Sequence, residues 1–197
     1  MTAPAELNQL LELPTKQQIA RCLRFRLNGR WDARTTTKRA LRSLARRWEQ
    51  LDREIAVVEQ ELELLTRAAA PRLLAEAGVG PDTAAKLLVL ASDSPDRLRS
   101  DAALAALCGA SPVEASSGKT RRHRLNRGGD RQGNNALWTI ANNRMIHHPE
   151  TRAYAARRAS EGLTRKEILR CLKRHLARRL YPLLIADLTD AAALDLT

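Results

Sequence analysis

The residue types best suited to chemistry lie in one short segment, residues 114–130. Two serines, Ser116 and Ser117, precede a glycine and then a run of lysine and arginine that almost no acid interrupts. A serine hydroxyl can attack phosphorus, and guanidinium groups can hold a phosphate and stabilise the charge that builds on it. This combination is typical of phosphodiester chemistry on nucleic acid. The alternative is a Ser/Gly turn followed by a solvated basic loop that only touches DNA.

Positive charge is concentrated in the second part of the chain. The 197 residues carry a formal net charge of +12. Residues 1–118 hold 17 basic and 15 acidic side chains, whereas residues 119–197 hold 17 and 7, so the second part accounts for +10. Such asymmetry favours a nucleic-acid-binding face. The 28 arginines against 6 lysines suit bidentate phosphate contacts, although a GC-rich genome gives the same bias.

Cysteine and histidine usage gives no sign of a metal or a disulfide framework. Cys22, Cys108 and Cys171 are widely separated, have no CxxC spacing, and are expected to be reduced. His147 and His148 lack further ligands at metal spacing, so we expect a helix-end role and assign no metal ligand. The basic segments lack the aromatic faces of membrane-surface helices, and no window reaches the roughly 18 apolar residues of a membrane span. We expect a soluble, cytoplasmic protein without membrane contact.

Helices must position the serine segment, because strand signals are nearly absent and runs rich in Ala, Leu, Arg and Glu dominate. We expect an all-α fold, in which a long coiled-coil helix precedes a helical domain with a helix-hairpin-helix and a basic C-terminal helix. The expected parts are a partly helical N-terminal remnant (residues 1–37, with a helix near 16–27), the coiled-coil helix (38–70), the C-terminal domain (71–185) and a tail (186–197).

The long helix carries an apolar seam. Apolar residues recur at strict three- and four-residue spacing over about three and a half heptads: Leu41, Leu44, Trp48, Leu51, Ile55, Val58, Leu62 and Leu65. A seam this regular packs against one partner helix, either the same helix of a second subunit or another helix of this chain. We favour a homo-oligomer held through the coiled coil.

A Gly-Val-Gly turn between two helical stretches predicts a second phosphate contact. Its amides, those of Gly78, Val79 and Gly80, can approach a phosphate at the N-terminus of the following helix, which Asp82 or Thr83 can cap. Helix-hairpin-helix units of this kind contact the DNA backbone without reading its sequence. The alternative is a packing unit.

Further helices are predicted on both sides of the serine segment. They cover residues 101–108 and 131–146, with a loop over 109–129 between them, and Pro149 is expected at the start of the next helix. The C-terminal helix should begin at a capping box formed by Thr164 and Glu167 and end at Pro182. Its predicted apolar stripe is Ile168, Leu172, Leu176 and Leu180. Seven cations against one acid cover its other faces, and Arg170, Lys173 and Arg174 are the predicted nucleic-acid ligands among them.

Eight short motifs follow one another along the chain. They are Ala40-Leu-Arg-Ser-Leu-Ala-Arg-Arg47, Gly78-Val-Gly-Pro-x-Thr-Ala84, Leu98-Arg-Ser-x-Ala-Ala103, Ala106-Leu-Cys-Gly109, Ser116-Ser-Gly-Lys-Thr120, His123-Arg-Leu-Asn-Arg-Gly-Gly129, Arg152-Ala-Tyr154 and Ile168-Leu-Arg-Cys-Leu-Lys-Arg174. Together they resemble the C-terminal half of the insertion-sequence transposases of the "IS one-ten" family, over about residues 35–185. The Ser-Ser-Gly motif with the Arg-Leu-Asn-Arg-Gly-Gly block is specific, whereas the hairpin alone is not.

The resemblance implies a mechanism. In that family a serine of the matching motif attacks the DNA backbone and forms a phosphoserine link. Ser117, directly before Gly118, matches this nucleophile best, and Ser116 is the alternative. An acidic RNase-H-like domain, which holds metal ions through four carboxylates, completes the active site, and some members are directed by a structured RNA. The phosphate ligands next to the serines would be Lys119, Arg121, Arg122, Arg124 and Arg127, and the partner would be DNA.

Two features depart from the family pattern. Only about 37 residues precede the coiled coil, and Glu6, Glu12 and Asp32 among them form no carboxylate constellation. We therefore expect a truncated domain that binds nucleic acid but does not recombine it alone, with the divalent metal (Mg²⁺) on the missing acidic domain; whether the chain is an enzyme stays open. Asp130 stands where the family usually has Asn, which weakens a phosphate contact. The rival interpretations are a non-catalytic helical nucleic-acid-binding protein and an oligomerisation module that acts on a full-length transposase.

Overall fold

The structure is a computed structural model that describes residues 9–10, 12–29, 32–114, 123–124 and 126–194. Within these ranges the chain forms α1 (Thr15–Leu23), α2 (Ala33–Ala69), α3 (Pro71–Leu74), α4 (Pro81–Ser92), a 3-10 turn (Pro95–Arg97), α5 (Asp101–Leu107), β1 (Val113–Glu114), β2 (His123–Arg124), α6 (Arg131–His147), α7 (Pro149–Ser160) and α8 (Arg165–Leu194). The predicted all-α class is confirmed, with one short hairpin as its β-structure in these ranges. The chain divides into two compact units, Met1–Gln60 and Glu61–Thr197.

The first unit is built on α1 and the first part of α2. Asp32 starts α2, because its Oδ1 accepts the backbone N–H of Thr35 at 2.7 Å. A small apolar cluster then joins the two helices, with Leu10, Cys22 and Ala45 buried and Leu41 packed against them. The predicted helix near residues 16–27 is therefore present but ends earlier, at Leu23.

The long helix that the apolar seam predicts is confirmed as α2, which starts before residue 38. Much of the seam is exposed in the single chain. Leu44, Leu51, Ile55, Val58 and Leu65 are between 39% and 70% exposed. Nothing in one chain tests whether the seam pairs with a second helix, so the coiled coil stays a prediction.

Helix α8 is the central element of the second unit and packs against α3, α4, α5, α6 and α7. Its predicted apolar stripe is buried: Ile168, Leu172, Leu176 and Leu180 are at most 8% exposed. Fully buried leucine and isoleucine side chains of three further helices complete the core, namely Leu87 of α4, Leu104 of α5, and Leu137 and Ile140 of α6. Burial of each such side chain contributes about 1.5–3 kcal/mol to folding.

Side-chain caps fix the starts of α7 and α8. The predicted capping box is confirmed, since Glu167 Oε2 accepts the N–H of Thr164 at 2.9 Å and Thr164 Oγ1 accepts the N–H of Glu167 at 3.4 Å. His148 Nδ1 accepts the N–H of Thr151 at 3.3 Å, and Pro149 occupies the first turn of α7. The expected helix-end role is thus confirmed for His148.

The prediction that Pro182 ends the C-terminal helix is wrong, because α8 continues to residue 194. Proline removes one backbone donor and normally interrupts a helix. Here the residues on both sides are held by the core, since Leu180 and Leu184 are fully buried. Asp187, one turn further on, is also buried and bonds to the start of α3. Tertiary packing therefore carries the helix through the proline.

Candidate nucleic-acid interface

The part of the segment that contains both serines, residues 115–122, stands in the sequence between two paired strands, where a loop alone was predicted. The name serine segment refers to these residues from here on. Val113 pairs with Arg124 and Glu114 with His123 in antiparallel register. Residues 115–122 lie outside the described residues, and with them five predicted site residues, Ser116, Ser117, Lys119, Arg121 and Arg122. Because Glu114 and His123 are strand partners, the residues that flank 115–122 on its two sides lie next to each other. Arg124 is placed in β2.

A glycine after β2, Gly129, brings the chain into contact with the end of α5. A Cβ on Gly129 would lie 2.0 Å from the backbone nitrogen of Gly109 and 2.4 Å from its Cα, so only glycine fits. Gly109 itself has a φ of +62°, in the left-handed region that favours glycine. The N–H of Asp130 donates to the carbonyl of Leu107 at 2.6 Å. The Arg-Leu-Asn-Arg-Gly-Gly block is therefore fixed to the helix that precedes the strands.

Helix α6 begins directly after this turn. Asp130 Oδ1 accepts the N–H of Gly133 at 2.6 Å and caps the helix, a role that Asp and Asn share. A Cβ on Gly133 would lie 2.7 Å from Leu90 Cδ2 and 3.0 Å from Cys108 Sγ, so the helix approaches its neighbours closely here. Asn134 Nδ2 donates to the carbonyl of Cys108 at 2.7 Å. These contacts hold the first turn of α6 against Cys108, at the end of the helix that precedes the strands.

A shallow cleft of about 470 Å³ lies at this point, and we call it the Trp138 cleft. Its lining combines two arginines, three asparagines, a glycine and an indole ring: Arg127, Arg131, Asn126, Asn134, Asn135, Gly129 and Trp138. Trp138 is 46% exposed, and both arginines are exposed. Guanidinium groups and an exposed ring supply the two contacts that proteins use on a single nucleic-acid strand, which are phosphate binding and base stacking.

Sequence reasoning assigned Arg127, which the structure places in the Trp138 cleft, but it missed Arg131 and Trp138. With Asn134 and Asn135 these two residues follow the spacing i, i+3, i+4, i+7, which places all four on one face of α6. The spacing of these four residues could have been recognised in the sequence. Their association with Arg127 could not, because Arg127 belongs to the preceding turn and meets the other four residues only in the folded chain.

The helix before the Gly-Val-Gly turn, α3, has only four residues. This geometry does not establish a helix-hairpin-helix. Gly78 has a φ of +80°, and a Cβ there would lie 3.0 Å from a side-chain carbon of α6. The N–H of Val79 donates to the carbonyl of Glu76 at 3.1 Å, and the N–H of Gly80 donates to Thr83 Oγ1 at 3.0 Å. The amides of Val79 and Gly80 thus already donate hydrogen bonds inside the turn. These bonds argue against phosphate binding by the two amides, and the role of the turn as a phosphate ligand stays a prediction.

The three predicted ligands on α8 have different surroundings. Arg170 is half-buried and lies 3.8 Å from a carboxylate one turn earlier. Lys173 is 5% exposed, its ammonium donates to Asn134 Oδ1 at 3.2 Å, and burial lowers its pKa. Arg174 Nη1 donates to Asp101 Oδ2 at 2.9 Å and holds the pKa of that carboxyl below its usual range. Lys173 and Arg174 thus have contacts inside the domain, and their nucleic-acid role stays a prediction.

Among the described residues, no group of three or more His, Cys, Asp or Glu side chains is placed to hold a metal ion. That part of the chain therefore does not fit the Mg²⁺ that the family resemblance implies. None of the helices in the described ranges is long and apolar enough to cross a membrane.

Comparison with known families agrees with the order of motifs along the chain. Residues 70–156 match the sequence model of the transposase IS116/IS110/IS902 family. Comparison with curated proteins gives no match. The matched segment extends from α3 into α7 and contains the paired strands, the glycine turn and the Trp138 cleft. Residues 70–156 therefore form a domain of the transposase IS116/IS110/IS902 family, which supports a function related to transposition.

Proposed function

We propose that this domain binds a DNA strand in the Trp138 cleft and presents Ser117 to the DNA backbone as the nucleophile of transposition. The Oγ of Ser117 forms a bond to phosphorus and loses its proton, while the bond from phosphorus to the leaving nucleotide oxygen breaks and that oxygen gains a proton. The phosphoserine ester keeps the energy of the broken phosphodiester, so the strand can be rejoined without ATP. Ser116 is the alternative nucleophile.

The observation that carries this proposal is the position of the Trp138 cleft relative to the serine segment. The cleft begins two residues after β2, and β2 pairs with the strand that precedes the serines. Arginine binds phosphate oxygens through two parallel N–H groups, so Arg127 and Arg131 suit a phosphodiester. Stacking on Trp138 does not depend on base identity. A DNA strand held in this cleft would contact the turn that directly follows β2, the strand after the serines.

The first experiment measures DNA affinity as a function of salt. Each phosphate contact that is lost should make the slope of log K against log salt less negative by about 0.7–0.9. We expect the double variant Arg127→Ala/Arg131→Ala to bind DNA more weakly than wild type, with a slope shallower by about 1.4–1.8. The matched control is Arg97→Ala/Arg152→Ala, which removes the same charge from exposed positions outside the cleft. Equal slopes for the two double variants, or salt-insensitive binding by wild type, would overturn the cleft assignment.

The second experiment tests the nucleophile. The chain is mixed with DNA and an acidic RNase-H-like domain of the same family, and covalent DNA–protein adducts are resolved on a denaturing gel. Ser117→Ala should abolish the adduct and leave DNA affinity unchanged, whereas Ser116→Ala should retain the adduct. The reverse result would move the nucleophile to Ser116. An adduct that survives both substitutions would show that neither serine is the nucleophile. Absence of any adduct with wild type would leave a non-catalytic helical nucleic-acid-binding protein as the better interpretation.

A second function, self-association through α2, is favoured by the exposed seam. Five of the eight seam residues are at least 39% exposed in the single chain. Exposed apolar surface costs about 25 cal/mol per Å² relative to burial, so covering a continuous row of leucine, isoleucine and valine side chains is favourable. Pairing of two copies through α2 would bring two DNA-binding domains together, as the joining of two DNA ends requires.

A further inference from the structure

A larger pocket, of about 650 Å³, lies where α6, α7 and α8 meet the segment after α3. It shares no lining residue with the Trp138 cleft. Its volume falls in the range of about 300–1,000 Å³ that is typical of small-ligand sites in proteins. We call it the Tyr154 pocket, after the tyrosine in its wall.

One part of the lining is apolar and aromatic. Ala141 and Leu172 are buried side chains that face the pocket. The rings of Tyr154 and His175 lie edge to face, with centroids 5.8 Å apart and planes at 80°. The guanidinium of Arg157 lies 5.6 Å from the centre of the Tyr154 ring. A flat heterocycle fits such a surface, because apolar area and a ring face are covered together.

The other part of the lining is charged, with a surplus of cations. Glu76 Oε2 accepts hydrogen bonds from Arg144 Nη2 at 2.7 Å and from Arg179 Nε at 2.8 Å, so one carboxylate is shared between two guanidinium groups. Arg157 is 68% exposed at its side chain and lies 4.0 Å from Glu161, which also pairs with an arginine outside the pocket. Glu150 is the second carboxylate of the lining, so three arginines face two glutamates.

We propose that the Tyr154 pocket binds one unpaired nucleotide of a nucleic-acid strand. The base lies against Tyr154 and the apolar lining, and its phosphate is held by Arg157 and Arg179. An inorganic anion would use the arginines but not the apolar part. A paired base must first be unpaired and unstacked from its duplex before it can enter a concave site, a cost that a single strand largely avoids. The inference rests on the proposed function, because it requires that the chain binds nucleic acid at all. It adds a second binding site, remote in sequence from the serines.

Photo-crosslinking locates the base directly. The full chain is irradiated with short oligonucleotides of one sequence that carry a single thio-substituted pyrimidine, as single-stranded DNA, as RNA and as a DNA duplex. After tryptic digestion, crosslinks are expected on residues 153–157, which contain Tyr154, or on residues 175–178, which contain His175. The single strands should give these products and the duplex should not. The relative yields of DNA and RNA then identify which strand supplies the nucleotide.

Two arginines of α7 allow a matched comparison of oligonucleotide affinity, one inside the pocket and one outside it. Arg157 lines the pocket, whereas Arg152 is exposed on the same helix and does not. We expect Arg157→Ala to weaken binding of the single-stranded oligonucleotide about tenfold, as loss of a charge-assisted phosphate contact predicts. Arg152→Ala should stay close to wild type, and Tyr154→Phe should retain both affinity and crosslink because the ring is kept. Thermal unfolding of each variant reports whether the fold is intact.

The outcomes separate this inference from the proposed function. Wild type that binds no nucleic acid overturns both. Residues 132–144, the tryptic peptide of Trp138, also contain Ala141 and Arg144 of the Tyr154 pocket, so fragmentation of this peptide must locate the crosslinked residue. Binding with crosslinks only at Trp138 supports the cleft and overturns the Tyr154 pocket. Equal affinities for Arg157→Ala and Arg152→Ala, with no crosslink near Tyr154, also overturn the pocket alone.

Discussion

Gly129 lies so close to the backbone at Gly109 that a methyl group has no room. We expect Gly129→Ala to lower the free energy of unfolding by about 1–3 kcal/mol or more, because overpacking against backbone atoms forces the turn and α5 apart. Gly128→Ala is the control, since a Cβ there lies 3.4 Å from Asn126 Oδ1, an ordinary contact, and its effect should stay within about 0.5 kcal/mol. Urea unfolding measures both. Equal stability of the two variants would show that the turn does not depend on this close approach.

Cys108 is fully buried, and burial raises the pKa of its thiol to about 12. The thiolate is the reactive form, so Cys108 should resist alkylation at mildly alkaline pH while the domain is folded. Cys171, which is only partly buried, should react first. Mass spectrometry after iodoacetamide treatment, with and without denaturant, measures this order. Modification of Cys108 in the native protein at the rate of Cys171 would contradict the packing around it.

The state of the cysteines could be predicted from the sequence, whereas the close contact of Gly129 and the assembly of the Trp138 cleft could not. The three cysteines were expected to be reduced, and all three are free thiols, two of them buried. The role of Gly129 was not visible, because it depends on Gly109 in a different segment, which meets it only after folding. Arg131 and Trp138 were missed for a related reason, since neither residue is unusual until Arg127 of the neighbouring turn completes the cleft.

At the scale of elements, Asp187 of α8 acts as a cap for a helix that is distant in sequence. Its carboxylate is 1% exposed and accepts the backbone N–H groups of Arg72 at 3.2 Å and Leu73 at 3.0 Å, in the first turn of α3. Asp187→Ala should cost about 1–3 kcal/mol, because it leaves buried donors without a partner. Asp187→Asn keeps an acceptor and should cost less. Asp190→Ala removes only an exposed ion pair with Arg72 and should cost clearly less than Asp187→Ala. Thermal unfolding measures the stability of the three variants. An Asp187→Ala protein as stable as the Asp190→Ala protein would contradict the capping role.

Element starts with local signals were predictable, and element ends that depend on tertiary contacts were not. The capping box at Thr164 and Glu167 needs only residues three apart, and it is present as predicted. Pro182 is a local stop signal, but burial of Leu184 and Asp187 beyond it outweighs that signal and the helix continues. The strand pair around the serine segment depends on two dipeptides too short to show a period-2 pattern, so the sequence predicted a loop.

At the scale of the whole second unit, Glu76 links the segment after α3 to α6 and α8. The hydrogen bond from Arg179, followed by that from Arg144, holds the pKa of Glu76 below its ordinary value, although burial opposes this shift. A lowered pKa in the folded state stabilises the unit fully above the unfolded value of about 4.3, and this stabilisation is lost as the pH falls through the folded-state pKa. Glu76→Gln should therefore be less stable than wild type near neutral pH, and the difference should shrink in acid. Unfolding midpoints across pH measure it. A difference that does not depend on pH would contradict the linkage.

The exposed seam of α2 gives the last prediction, which concerns the assembly of whole molecules. Leu51 and Val58 lie one heptad apart on the seam and are 39% and 61% exposed. If two copies pair through this seam, the double variant Leu51→Glu/Val58→Glu places charges inside the interface and should sediment as a monomer where wild type sediments as an oligomer. The control Gln50→Glu/Gln60→Glu adds the same charge at exposed polar positions and should leave association unchanged.

The seam variant also separates assembly from DNA binding, because its substitutions lie outside the Trp138 cleft and the Tyr154 pocket. A monomeric variant should keep the affinity of one domain for a short DNA and lose the ability to hold two DNA ends in one complex, which a gel-shift assay with two labelled ends detects. Wild type that sediments as a monomer at every concentration tested would exclude pairing through α2.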